Sequence, residues 1–182
     1  MSRRTVLALL GGLVVVGVVA ALLVFEPWRL WTSSTVDEAL PVVVEPVLQP
    51  DLAPTSGPSS SAPPPPAEPV ELAAGAFEDG EHATTGTARI IELSDGSRFL
   101  RLEDFATSDG PDVVVWLTDR PSGGEWGSYD DGRFVELGDL TATNGNQNYP
   151  IPADVDLAGL TSVVVWCDRF DVAFGTAPVS VG

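Results

Sequence analysis

One thiol, one imidazole and a scatter of carboxylates are the groups through which this 182-residue chain can do chemistry. The thiol is Cys167, in Ser162-Val-Val-Val-Trp-Cys-Asp-Arg-Phe170, and the imidazole is His82, in Gly80-Glu-His-Ala-Thr84. The single Met is the initiator, Met1. A tetrahedral Cys/His zinc site takes about four such ligands. A blue-copper site takes two His and a Cys, and covalent haem attachment takes C-x-x-C-H. None of these can be built within one chain, and one cysteine cannot form an intramolecular disulfide.

Cys167 has two readings. In an extended strand alternate residues share a face. Val164, Trp166, Phe170, Val172 and Phe174 then fall on one side, with Asp168 the exception. Val163, Val165, Cys167, Arg169, Asp171 and Ala173 fall on the other. The thiol is expected to point away from the aromatic face, towards one that turns polar where it sits. Arg169, two residues on, would lower the thiol pKa at close range, and Asp168 and Asp171 would oppose it. The alternative is a small buried hydrophobe, the usual state of a free cysteine.

His82 lies in a polar loop before the first strand of the folded part. It can serve as a metal or haem ligand or as a base, or simply be hydrogen-bonded at the surface. A Ser-His-Asp triad would have to use it, yet no G-x-S-x-G elbow is present. The acidic clusters Asp109-Gly-Pro-Asp112, Asp130-Asp131 and Asp154-Val-Asp156 lack the spacing of a calcium loop and read as solvated turns. No metal site is expected.

The charge balance closes off further classes. The chain has 26 Asp+Glu against 9 basic residues, all Arg, for a net charge of −17. A nucleic-acid partner is excluded, since binding one requires a basic face that releases counterions.

The elements that must position these groups are strands. Thr87 to Leu93 and Arg98 to Phe105 flank Asp95-Gly96, a two-residue hairpin signal with positive φ expected at both positions. Asp112 to Thr118 is a continuous apolar run, Arg133 to Leu140 alternates weakly, and Ser162 to Phe174 is two strands or one long bent strand. Asn144-Gly-Asn-Gln-Asn-Tyr-Pro150 reads as a hydrogen-bonded loop entering an edge strand, because Pro150 and Pro152 cannot donate to a ladder. Short strands between Gly, Pro, Asp and Asn predict an all-β sandwich or barrel-like domain over residues 73–182.

Two segments precede that domain. Thr5 to Phe25 runs 21 residues without a charge, about 30 Å as a helix, with Arg3 and Arg4 before it and Glu26 after. This predicts an uncleaved signal-anchor transmembrane helix in residues 1–31, in contact with the lipid bilayer through residues 5–25. The positive-inside rule then gives a single-pass cell-membrane protein, N-terminus cytoplasmic and C-terminal domain extracytoplasmic. Trp28 and Trp31 would anchor its outer end. Residues 32–72 hold ten prolines in 41 positions and read as a disordered, extended linker.

Three segments together resemble the DM13 electron-transfer domain, a cell-surface module found beside cytochrome- and DOMON-type domains in skeletor-like proteins and alone in bacterial membrane-anchored ones. They are Gly86 to Ile91 with Arg98 to Phe105 and Gly110 to Asp112; Asn144 to Pro152; and Ser162 to Phe170 with Phe174 to Pro178. The resemblance spans roughly Phe77 to Val179. It implies a β-domain in an electron-transfer system, with Cys167 either a free redox thiol or the ligand of a prosthetic group such as haem. His82 is the one imidazole able to join a haem there. With no DOMON or cytochrome domain in this chain, the electron donor or acceptor would be a separate membrane or extracytoplasmic redox protein. The expectation is a redox module centred on Cys167 rather than a self-contained enzyme. The alternative is a non-catalytic β-sandwich binding a cell-wall polymer, a surface protein or Ca²⁺.

Overall fold

The computed structural model describes residues 3–25, 32–43 and 68–181. Among the described residues, ten strands carry the fold: β1 (Thr35–Asp37), β2 (Val70–Ala76), β3 (Glu78–Asp79), β4 (Thr85–Glu92), β5 (Arg98–Ala106), β6 (Val113–Thr118), β7 (Phe134–Asp139), β8 (Asn144–Ile151), β9 (Ser162–Cys167) and β10 (Val172–Pro178). They form two five-stranded sheets, ordered β1-β8-β5-β4-β2 and β3-β10-β9-β6-β7. Every pairing is antiparallel except β1 with β8. The architecture is the expected all-β sandwich.

The two sheets enclose one apolar layer. Ala88, Ile90, Leu100, Leu102, Tyr149 and Ile151 face it from the first sheet; Val115, Leu117, Val163, Val165 and Phe174 face it from the second. Strands β6 and β9 are buried along their whole length. Their continuous Val-rich runs follow from this, because both faces are covered. The outer face of the second sheet carries a second cluster, Val114 and Trp116 of β6, Val164 and Trp166 of β9 and Ala173 of β10, to which Tyr129 of the 3-10 turn Tyr129–Asp131 contributes. The loop between β6 and β7 thus caps the second sheet.

Several local expectations shift. In the turn between β4 and β5, φ is positive at Gly96 but not at Asp95. The Asp95 carboxylate accepts from the Ser97 amide at 2.9 Å and hydroxyl at 2.6 Å, so the side chain supplies part of the turn that a second left-handed residue would have supplied. Residues 144–151 are a full strand rather than a loop, lying between β1 and β5. Pro150 falls beyond the three residues that β1 pairs, on an open edge where a missing N–H costs nothing. The long segment 162–174 resolves into β9 and β10.

Two expectations for the N-terminal region are corrected. Residues 3–25 do form a helix, α1 (Arg3–Phe25), but among the described residues no helix is long and apolar enough to cross a membrane. The single-pass cell-membrane location and the bilayer contact through residues 5–25 lose their basis. The anchor assigned to Trp28 and Trp31 lies outside the described residues, as does 44–67 of the expected linker. Inside that linker, Thr35–Asp37 is a strand on β8, because Ser34 to Ala39 finds backbone and side-chain partners there that composition alone does not reveal.

Candidate functional site around Cys167

Cys167 is the last residue of β9. Its register partners are Val113 of β6 and Val172 of β10, and it is fully buried in the layer between the sheets. The alternation read from the sequence holds through β9: Val163, Val165 and Cys167 face inward, and Val164 and Trp166 outward. The inward face does not turn polar at the thiol. The strand ends there, and the residues expected to continue that face turn back on themselves. The Phe170 amide donates to the Cys167 carbonyl at 3.2 Å, and Asp171 closes the turn with φ 52°.

That turn brings backbone to the sulfur. Burial pushes the Cys167 thiol up, and the amides of Phe170, Arg169 and Asp112 pull it down less than burial raises it. The Asp112 carboxylate adds to the rise. Arg169 acts on the thiol through its amide. Desolvation favours the protonated thiol, and the backbone of the turn opposes it only in part.

The segment Asp109–Asp112 lies over this end of β6. The Asp112 carbonyl accepts from the Asp168 amide at 2.9 Å, which ties the segment to the β9–β10 turn. Gly110 is required for the fit: a Cβ there would stand 2.6 Å from Val113 Cγ2 and 2.9 Å from the Phe174 ring. A cavity of about 220 Å³ opens beside this segment, lined by Ser34, Asp109, Asp112, Asp139 and Thr143 among others. Neither Cys167 nor His82 lines it.

His82 approaches the same end of the sandwich through Phe174. Its ring stands edge-on to Phe174 with centroids 4.1 Å apart, and its amide donates to the Phe174 carbonyl at 3.3 Å. Nε2 lies 3.8 Å from a Glu81 carboxylate oxygen. Phe174 and Cys167 belong to one apolar cluster. A thiolate-bound haem would need an open face at the sulfur, and Cys167 has none; the residues present do not fit that group. Among the described residues, no group of three or more His, Cys, Asp or Glu is arranged to hold a metal ion.

Two features escaped sequence reasoning. Asp112 influences the thiol from 55 positions away, because the β6–β9 pairing sets Val113 opposite Cys167. On the outer face, Trp166 stacks on Trp116 with centroids 4.9 Å apart, and Trp116 stacks on Phe134 at 4.2 Å. The repeated Val-Val-Val-Trp at 113–116 and 163–166 was the available signal, since two such strands paired antiparallel set Trp116 opposite Val164 and Val114 opposite Trp166.

A family model described as "Electron transfer DM13" matches residues 76–179, more than half of the chain. No curated protein matches the chain, and no solved structure does.

Proposed function

The chain belongs to the DM13 electron-transfer family, and from that premise we propose that its redox group is the Cys167 thiol. The observation that carries this reading is the placement of one fully buried sulfur at the turn that ends β9. That turn is tied to the Asp109–Asp112 segment by the Asp168–Asp112 hydrogen bond, and backbone amides there favour the anion that burial disfavours. Backbone donors that favour the anion serve a sulfur that passes through an anionic state. Burial keeps the resting thiol neutral and shielded from adventitious oxidation.

The partner in this reading is a separate redox protein carrying a disulfide. The Cys167 sulfur, deprotonated as it attacks, forms a bond to one partner sulfur; the partner S–S bond breaks, and the leaving sulfur takes up the proton. Cys167 is then held as a mixed disulfide. A thiol of a second, dithiol protein attacks the Cys167 sulfur and releases the partner as a dithiol. The second protein's other thiol then attacks its own sulfur in the new mixed disulfide, closing a disulfide there and returning Cys167 to the thiol with its proton. The electron pair thus passes from the second protein to the partner. Access to the sulfur requires the 168–171 turn and the Asp109–Asp112 segment to part, and the two are joined by the Asp168–Asp112 hydrogen bond.

A second reading rests on the complete burial of the thiol: the sandwich is a non-catalytic binding module and Cys167 is a core residue. One experiment separates the two. An absorption spectrum and a thiol titration with a small neutral disulfide are run on the full chain, native and in denaturant. Native modification at a finite rate, abolished in Cys167→Ser and accelerated by Asp112→Gly, supports the redox reading. A thiol that reacts only at the rate of global unfolding overturns it in favour of the binding module. A Soret band lost in Cys167→Ser would overturn the naked thiol in favour of a haem.

A further inference from the structure

The contacts that hold β1 against β8 are more specific than a three-residue strand needs, and the electron-transfer reading makes no use of them. The backbone is paired first. The Asn144 amide donates to the Ser34 carbonyl at 3.0 Å, and the Glu38 amide to the Asn146 carbonyl at 2.9 Å. The side chains then read the segment in register. Ser34 and Thr143 bond reciprocally: the Ser34 amide donates to Thr143 Oγ1 at 2.9 Å, and the Thr143 amide to Ser34 Oγ at 3.1 Å. Asn146 Nδ2 donates to the Asp37 carboxylate at 2.7 Å. The Asn148 amide and Nδ2 both donate to one oxygen of Glu38, at 2.7 and 3.1 Å. Arg101, itself buried, donates to the Glu38 carbonyl at 3.1 Å.

The groove is also shaped for this occupant. A Cβ on Gly145 would lie 1.9 Å from the Val36 carbonyl oxygen, and Gly145 has φ 102°. Only glycine permits both the backbone conformation and the approach. The alternating Asn144, Asn146 and Asn148 present donors along one sheet edge, matched to acceptors on the incoming strand. This is strand addition to an exposed edge, with main-chain bonds for affinity and side-chain contacts for specificity.

We propose that the β8 edge is a sequence-reading groove for the segment Ser34–Glu38, filled by the chain's own segment and equally able to take that segment from a second copy. The segment lies outside the family-matched residues 76–179. Thirty-one residues separate Glu38 from Val70, a reach of up to about 100 Å when extended. A connection of that length does not bind β1 to its own groove by geometry. It sets only an effective concentration, in the millimolar range for a flexible connection. Exchange between copies is therefore favoured where chains are crowded or where the intramolecular match is weakened. The inference stands apart from the role of Cys167.

The test is a complementation between two full-length variants. One carries Asp37→Ala and Glu38→Ala, which spoils its segment and leaves its groove intact. The other carries Asn146→Ala and Asn148→Ala, which spoils its groove and leaves its segment intact. Each alone is expected to sediment as a monomer at about 100 μM, below the effective concentration of the tether. Their mixture is expected to form a one-to-one complex that excess peptide of residues 33–40 dissolves. A mixture that sediments as two monomers, with both variants melting cooperatively, overturns the proposal. Should the groove variant fail to fold, fluorescent peptide 33–40 titrated onto the segment variant decides alone. Saturable binding supports the groove, and no saturation up to about 1 mM, the weakest affinity worth about 4 kcal/mol, overturns it.

Discussion

Asp112 holds the end of β9 at two points: its carbonyl accepts from the Asp168 amide at 2.9 Å, and its own amide acts on the sulfur of Cys167. One residue thereby links the cover of the sandwich to the thiol beneath it. Its carboxylate works against its amide, because the charge disfavours the thiolate that the N–H dipole favours. Burial is the largest influence, and the folded thiol is held above its ordinary value.

That shift fixes a pH dependence. The folded protein keeps its thiol proton to higher pH than the unfolded chain does, so between the two pKa values the native state binds more protons. Stability from this group is therefore complete below the unfolded value near 8.5 and is lost as pH rises through the folded one. The slope for one proton is at most about 1.4 kcal/mol per pH unit. Denaturant melts at pH 7 to 11 are expected to show this loss in wild type and a flatter profile in Cys167→Ala, which itself costs about 1 kcal/mol of packing at pH 7. Tyr149, also raised by burial, adds a second loss above pH 10, removable with Tyr149→Phe. Parallel wild-type and Cys167→Ala profiles between pH 8.5 and 10 would refute the assignment.

The parts of this structure that were legible in the sequence are those written into local pattern. The strands around Asp95-Gly96, the apolar run before Thr118 and the inward-outward alternation of Val163 to Cys167 all follow from period and turn chemistry. The site was legible as far as Cys167 itself. Its environment was not, because alternation carried past Cys167 assumes a continuous strand, and the chain turns at Asp168. The strand β1 was hidden for a different reason. Its partners lie some 110 positions away in β8, and among prolines its own three residues carry no periodic signal. The helix α1 shows the converse, where an uncharged run gave the right local element and an overextended conclusion about what it can cross.

Phe134 covers Trp116 and is itself 40% exposed, whereas Trp116 is 3% exposed. The two rings are nearly parallel, at 14° with centroids 4.2 Å apart. Phe134→Ala is expected to wet the Trp116 indole, shifting tryptophan emission to the red and costing about 1 kcal/mol. The Trp116–Trp166 stack behind it should persist as near-ultraviolet circular dichroism. Emission unchanged by Phe134→Ala would show that other residues shield the indole.

Arg101 joins the sandwich to β1. Its Nε donates to Glu103 at 2.8 Å, and Nη1 donates to the Asn148 side chain at 2.8 Å and to the Glu38 carbonyl at 3.1 Å. Burial alone would raise Glu103, but hydrogen bonds from Arg101 and Arg89 outweigh it and hold the carboxyl below its ordinary value. A lowered carboxylate stabilises the fold above the unfolded value near 4.3, and that contribution is lost as pH falls through the folded one. Arg101→Met is expected to cost about 1–3 kcal/mol at pH 7 and less at pH 3. Hydrogen exchange of residues 34–38 should quicken in the same variant. An equal cost at both pH values would assign the loss to packing of the arginine stem rather than to the pair.

Gln147 is fully buried, and its amide stands in for a missing stretch of ladder. Oε1 accepts from the Ala142 amide at 3.1 Å and from the Tyr149 hydroxyl at 2.8 Å, while Nε2 donates to the Ala142 carbonyl at 2.6 Å. The Tyr149 hydroxyl in turn accepts from the Thr141 amide at 3.0 Å. Gln147→Met keeps the volume and leaves both Ala142 backbone groups without a partner, at an expected cost of about 2–4 kcal/mol. Gln147→Glu is the sharper probe. Its carboxylate still accepts from Ala142 and Tyr149, but an ionised oxygen would face the Ala142 carbonyl where a donor stood. Only the protonated acid restores that donor, so the folded pKa of Glu at this position rises above its unfolded value. Stability is then retained below pH 4 and lost as pH climbs through the folded value. Thermal melts of Gln147→Glu are therefore expected to approach wild type at pH 4 and to fall towards Gln147→Met at pH 7. A Gln147→Glu deficit independent of pH would mean that the carboxylate turns away from Ala142, and the ladder-replacing role of the amide would be lost with it.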